Sequence, residues 1–116
     1  MAKEWFRLTA HEIRDAVLGG AVSAEEVTRS FLSRIEQVDS KVCAYVDVWR
    51  DAAISRAREI DARIRKEGFR GALAGVPISI KDVLCTKQGY TTCCSKILRG
   101  YRSPFDATVV ERLWEA

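Results

Sequence analysis

A chain of 116 residues with 47% hydrophobic and 30% charged residues has the balance of an ordinary globular segment, with enough apolar side chains for one modest core. That excludes disordered, collagen-like and coiled-coil chains, and no run reaches the roughly 18 apolar residues of a membrane-spanning helix. The net charge of +3 arises from 19 basic and 16 acidic residues that are interleaved, so no contiguous basic footprint marks a nucleic-acid module.

Met1 to Leu8 lacks the apolar centre of a secretory signal, and the expected compartment is the cytoplasm. The first helix signal follows it. Thr9 and Glu12 have capping-box spacing, with Leu8 and Ile13 as the flanking hydrophobic staple, which predicts a helix from about Ala10 to Leu18 that stops at Gly19-Gly20. Ser23 and Glu26, with Val22 and Val27, repeat the pattern and predict a second helix from Ala24 to about Val38. Its apolar stripe is Val27, Phe31, Ile35 and Val38. Val42 to Val48 reads as a short extended stretch. A third helix, from Arg50-Asp51 to about Lys66, carries Ala53, Ala57, Ile60 and Ile64 on one face. Glu59 with Arg63 and Asp61 with Arg65 stand at ion-pair spacing, and Gly68 ends the helix.

From Gly71 the helical period disappears and Gly71, Gly75, Pro77 and Gly89 punctuate short apolar runs. Val76-Pro77-Ile78-Ser79-Ile80-Lys81 alternates like a strand, with Pro77 near its start, where a missing donor is tolerated, and Lys81 at its carboxyl end. Pro104-Phe105-Asp106 then opens a last helix. Asp106 is its expected cap, Phe105 and Val110 its staple, and Val109, Val110 and Leu113 its apolar face. No capping glycine follows, and Trp114 has no later partner, so the segment is expected to be cut from a longer chain.

Few residues offer chemistry. Cys43, Cys85, Cys93 and Cys94 contain no C-x-x-C pair, and with one histidine there is no zinc-finger spacing. Four reduced, mostly buried thiols are expected. His11 falls in the first turn of an amphipathic helix and reads as solvated. Asp82 is a turn former that could also orient its neighbour. Thr91, Thr92 and Ser95 supply hydroxyls with no base within sequence reach. Lysines are usually solvated, so Lys81 is singled out by position: carboxyl ends of strands in open α/β sheets are where ligands bind, and burial there would favour a neutral amine able to act as a base.

The run Gly75-Val76-Pro77-Ile78-Ser79-Ile80-Lys81-Asp82 resembles the G-V-P-x-x-x-K-D stretch of the amidase-signature family, in which this lysine is the base end of a Ser-cisSer-Lys triad. Cys85-Thr86-Lys87-Gln88-Gly89, Thr91 to Leu98 and Asp106 to Leu113 are similar to the glutamine-hydrolysing branch of that family, which serves the tRNA-dependent amidotransferases, as is Leu8 to Glu12. Cys94 departs from it, standing where a small alanine-like residue is usual.

The resemblance implies an α/β fold, a mixed β-sheet surrounded by helices, of which residues 1–116 would be the truncated N-terminal part of a single domain. It implies Lys81 as the catalytic residue, both catalytic serines downstream, and an inactive segment on its own. It further implies glutamine as substrate, the B and C subunits of the amidotransferase for partners, and misacylated Glu-tRNA(Gln) or Asp-tRNA(Asn) reached through the complex. ATP and Mg²⁺ would sit in the B subunit, with no cofactor or metal in this chain and no membrane contact. Two other readings share the sequence: a stand-alone amidase hydrolysing small amides, and a non-enzymatic helical interaction module in which Lys81 is incidental.

Overall fold

A computed structural model describes residues Lys3–Ala116, which fall into two compact units, one up to Pro77 and one from Ile78. The first is helical: a 3₁₀ turn, Trp5–Arg7, precedes α1 (Ala10–Leu18), α2 (Ala24–Val42) and α3 (Arg50–Glu67). Both capping boxes form. The Thr9 hydroxyl accepts from the Glu12 amide at 3.3 Å while the Thr9 amide donates to the Glu12 carboxylate at 2.8 Å, and Ser23 and Glu26 repeat the exchange at 3.1 and 3.2 Å. α1 ends as expected, with Gly20 in the left-handed region (φ +75°) donating to the Val17 carbonyl.

α2 runs four residues past the expected Val38. The apolar stripe gives out there, yet Asp39, Ser40 and Lys41 contain no helix breaker, and a solvent-facing turn needs no stripe. Cys43 ends it at φ +53°, and the Asp39 carboxylate accepts from the Ala44 amide at 2.8 Å. The buried face of α2 is also turned from the expected one: Ala24, Val27, Thr28 and Leu32 are buried, while Phe31 is partly covered. α3 closes at Gly68 (φ +66°) and buries Ala57 and Ile60. Ile13 and Val17 of α1, Ala24 and Val27 of α2, and Ala57 and Ile60 of α3 form the core, and Trp5, Leu8, Val22, Phe31, Ile64, Phe69 and Val76 pack around it.

Asp61 does not serve α3. Its two carboxylate oxygens accept from the Ala24 and Glu25 amides at 2.8 and 3.1 Å, so together with Ser23 it satisfies the first three free N–H groups of α2. Glu25 in turn holds Arg29 and Arg58 at 2.7 to 2.9 Å, a second tie between α2 and α3.

The second unit is mostly turns, with α4 (Thr108–Glu115) as its one helix among the described residues. Val110 is its buried anchor, whereas Val109 and Phe105 are exposed, so the expected staple does not close. Asp106 is not the cap either. Ala107 occupies that position without a side-chain bond, and Asp106 accepts from the Lys87 amide at 2.7 Å and pairs with its ammonium at 3.6 Å.

No strand exists among the described residues. The expected strand over Val76–Lys81 has no ladder, because a strand exists only by pairing and no neighbouring segment supplies a partner. Val42 to Val48 is likewise no strand: Val42 closes α2 and the rest is irregular and largely exposed. No helix among the described residues is long and apolar enough to cross a membrane.

Candidate active-site segment

The Gly75–Asp82 stretch is held at its two ends by different means. Gly75 adopts φ +76°, which side chains rarely tolerate, and a Cβ there would lie 2.8 and 3.0 Å from the Val17 methyl carbons and 3.2 Å from the Ala24 Cβ. Glycine is therefore required twice, by backbone and by space, for the chain to pass over the α1–α2 corner. The preceding turn is tight, with the Ala74 amide on the Gly71 carbonyl and the Val76 amide on the Leu73 carbonyl.

At the other end, Asp82 organises a loop. Its Oδ1 accepts from the Thr92 amide at 2.9 Å, and its Oδ2 accepts from the Thr92 hydroxyl and from the Cys94 amide at 3.3 Å. Its carbonyl accepts from the Cys93 amide at 3.0 Å. Burial pushes the Asp82 carboxyl up, but the hydrogen bonds from Thr92 and Cys94 outweigh it and hold the group below its ordinary value of 3.8. The loop these bonds fix has two consecutive non-glycine residues in the left-handed region, Cys93 at φ +49° and Cys94 at φ +53°.

Around this hub the polar groups are paired. Buried Thr91 donates its amide to the Tyr101 carbonyl at 3.1 Å, drawing the two ends of the 91–101 loop together, and its hydroxyl oxygen receives the Thr86 amide at 3.4 Å. The Thr86 hydroxyl accepts from the Gln88 amide at 3.1 Å, and the Ala107 amide donates to the Cys85 carbonyl at 2.9 Å. The hydroxyls of Thr91 and Thr92, which the sequence leaves as a loop without a base, are thus the mortar of the segment.

Lys81 itself is exposed and lies outside any helix, opening a turn in which its carbonyl receives the Leu84 amide at 3.0 Å. The apolar run before it is only partly covered, with Ile78 46% exposed. His11 is exposed, as expected. The thiols are not buried: Cys43, Cys93 and Cys94 are exposed and Cys85 half-buried, all four free, because turns and a helix end carry them and not a core face. No group of three or more His, Cys, Asp or Glu side chains that could hold a metal occurs among the described residues. The Asp82–Thr92 tie spans ten residues, and no local spacing rule signals it.

An amidase segment is what this fold and motif define, and the family model for amidases matches residues 26–116, so the chain belongs to the amidase family. Among its relatives, the A subunit of the glutamyl-tRNA(Gln) amidotransferase of Symbiobacterium thermophilum is 53% identical over 108 residues, covering 91% of this chain and 22% of that protein. Its counterpart in Clostridium botulinum (strain Loch Maree / Type A3) is 49% identical over 107 residues, 92% of this chain and 22% of that protein. The chain thus spans about a fifth of the length of the curated relatives it matches. Among solved structures, one described as "An unexpected vestigial protein complex reveals the evolutionary origins of an s-triazine catabolic enzyme" superposes with a TM-score of 0.88 at 28% identity, over 93% of this chain and 24% of that one.

Proposed function

We propose that this chain is the N-terminal part of a glutamine-hydrolysing amidase subunit that supplies ammonia for converting Glu-tRNA(Gln), or Asp-tRNA(Asn), to the amidated form. The observation that carries the reading is the 47 to 53% identity to A subunits of glutamyl-tRNA(Gln) amidotransferases across more than nine-tenths of the chain. In the complete domain Val76 to Ile80 pairs with later strands into the mixed sheet, and Lys81 then faces two serines supplied downstream. The Lys81 amine, as the base, takes a proton through the bridging serine as the nucleophilic serine attacks the side-chain amide carbon of glutamine. Collapse of the tetrahedral intermediate returns a proton to the departing nitrogen, ammonia leaves, and water hydrolyses the acyl-enzyme to glutamate. Without those serines the 116-residue segment is inactive.

The partners under this reading are the B and C subunits of the amidotransferase, in the cytoplasm. Ammonia passes to the B subunit, where ATP and Mg²⁺ activate the glutamyl group on the tRNA. A second reading, a stand-alone amidase for small amides, draws on the likeness to the structure named for an s-triazine catabolic enzyme. Ammonia release by the full-length protein, with and without its partner polypeptides, separates the two. Glutamine turnover stimulated by the partners supports the first, and preference for a simple aliphatic amide without them supports the second. Lys81→Ala should lower turnover of the preferred substrate by roughly 10²- to 10⁴-fold with the fold intact. Near-normal turnover would remove Lys81 from the chemistry.

A further inference from the structure

We propose that Cys93 and Cys94 form a thiol-modification site, a vicinal dithiol that a hydroperoxide converts reversibly to a disulfide within the loop, and that this oxidation competes with the anchoring of the loop by Asp82. Three observations meet here. Both residues are exposed and both thiols free in the 116-residue chain, where an oxidant reaches either. Both residues are held at positive φ, a conformation that non-glycine residues leave readily once their tethers are cut. The tethers are the amides of these same two residues: Cys93 donates to the Asp82 carbonyl at 3.0 Å and Cys94 to the Asp82 carboxylate at 3.3 Å and the Thr92 hydroxyl at 3.2 Å.

The chemistry balances with a hydroperoxide as oxidant. One thiol sulfur attacks the peroxide oxygen to give a sulfenic acid and water, or an alcohol from an organic peroxide. The neighbouring thiol then displaces a second water to close the S–S bond. The peptide bond fixes adjacent Cα atoms about 3.8 Å apart, below the about 4.4 to 6.8 Å that disulfides usually span, so closing this smallest of disulfide rings puts strain into the Cys93-Cys94 dihedrals and shifts them. That backbone carries the hydrogen bonds to Asp82. Oxidation therefore loosens Asp82, and a loosened Asp82 favours oxidation, as linkage requires. Strained, exposed disulfides are also the easily reduced ones, which makes the modification reversible. Asp82 is bonded directly to Lys81 in the chain, so the oxidised loop disturbs the residue that the amidase reading places in the chemistry. Only this last consequence rests on that reading.

The test uses the full-length protein treated with stoichiometric hydrogen peroxide, then alkylated, digested with trypsin and weighed. The peptide Gln88 to Lys96 contains these two cysteines and no other. It should appear unalkylated and about 2 Da lighter, return to the dialkylated form after dithiothreitol, and fail to lose that mass in Cys93→Ser and in Cys94→Ser. At a fixed ratio of oxidised to reduced dithiothreitol, Asp82→Asn and, independently, Thr92→Val should each raise the oxidised fraction several-fold. Neither measurement depends on enzymatic activity. The proposal is overturned if native protein yields only dialkylated peptide after peroxide, if one sulfur is over-oxidised while the other stays free, or if neither substitution changes the oxidised fraction.

Discussion

Gly75→Ala tests whether the glycine of the motif is there for packing. The alanine Cβ would meet the Val17 Cγ1 at 2.8 Å, the Val17 Cγ2 at 3.0 Å and the Ala24 Cβ at 3.2 Å, and it would have to be carried at φ +76°. The left-handed conformation costs an alanine about 1 to 2 kcal/mol, and forcing a methyl group into a filled core costs about 1 to 3 kcal/mol more. The gain from a stiffer unfolded chain offsets only about 0.4 to 1 kcal/mol, leaving a net destabilisation of about 1 to 4.6 kcal/mol. For a unit of some 75 residues, whose whole stability is roughly 4 to 11 kcal/mol, that is a large fraction. Gly20→Ala is the internal control, since Gly20 has nearly the same φ, +75°, but nothing within 4 Å of its would-be Cβ. Urea unfolding followed by circular dichroism should place Gly75→Ala well below Gly20→Ala, the gap being the packing contribution. The Val17→Ala, Gly75→Ala double variant should lose less than the sum of its singles, because the smaller residue makes room. Equal midpoints for the two glycine variants would show that only backbone conformation matters at Gly75 and would refute the packing argument.

Asp61→Ala strips the acceptor from the Ala24 and Glu25 amides, and with two hydrogen bonds to a charged group lost it should destabilise by about 2 to 4 kcal/mol in the same urea assay; a loss under about 0.5 kcal/mol would mean that water replaces the carboxylate freely. Hydrogen bonds from Arg58 first, and from Arg29, hold the Glu25 carboxyl at about 2. Because a depressed carboxyl pKa stabilises the fold above the unfolded value of 4.5 and loses that effect as pH falls toward 2, the stability advantage of wild type over Glu25→Gln should shrink through that window; an advantage independent of pH would refute the pairing. The Asp82 anchor should behave in the same sense, intact above 3.8 and released at lower pH, with the Thr92 and Cys94 amide resonances moving together at a midpoint below 3.8; separate midpoints would show that they do not share Asp82.

What could be read along the chain was whatever is decided within a few residues. The capping boxes at Thr9 and Ser23 and the glycine stops at Gly20 and Gly68 are short-range arrangements, and each stands where the spacing places it. What could not be read involves carboxylates whose partners are far off. Asp61 has Arg65 at ion-pair spacing on its own helix, yet it closes the N-terminus of α2 across 37 residues. Asp106 has the position of a cap but serves Lys87, 19 residues earlier. Asp61 found half-buried N–H groups that lacked an acceptor, and satisfying those is worth more than an exposed ion pair, whereas Asp106 gains both the amide and the ammonium of the exposed Lys87. The strand over Val76–Lys81 failed for a different reason: alternation records which faces a segment would present in a sheet, while the ladder must come from other chain segments.

The motif itself gains a physical meaning from these tethers. Both terminal residues of the motif are firmly held, Gly75 by the lack of room for a Cβ in the first unit and Asp82 by four hydrogen bonds accepted in the second. Lys81 has no comparable restraint beyond the turn it opens, but it is one peptide bond from the most heavily bonded acid of its unit. Under the proposed function, a lysine base on a flexible four-carbon stem would gain from such an arrangement, because the backbone that carries it can be fixed while the amine stays free to move. The G-V-P-x-x-x-K-D spacing can then be understood as a glycine that seats the chain, an aspartate that locks the following loop, and a lysine whose place is set by that lock. If the proposed function holds, Asp82→Asn should lower turnover through the position of Lys81 and Lys81→Ala through loss of the base, so that combining the two should cost little more than Lys81→Ala alone.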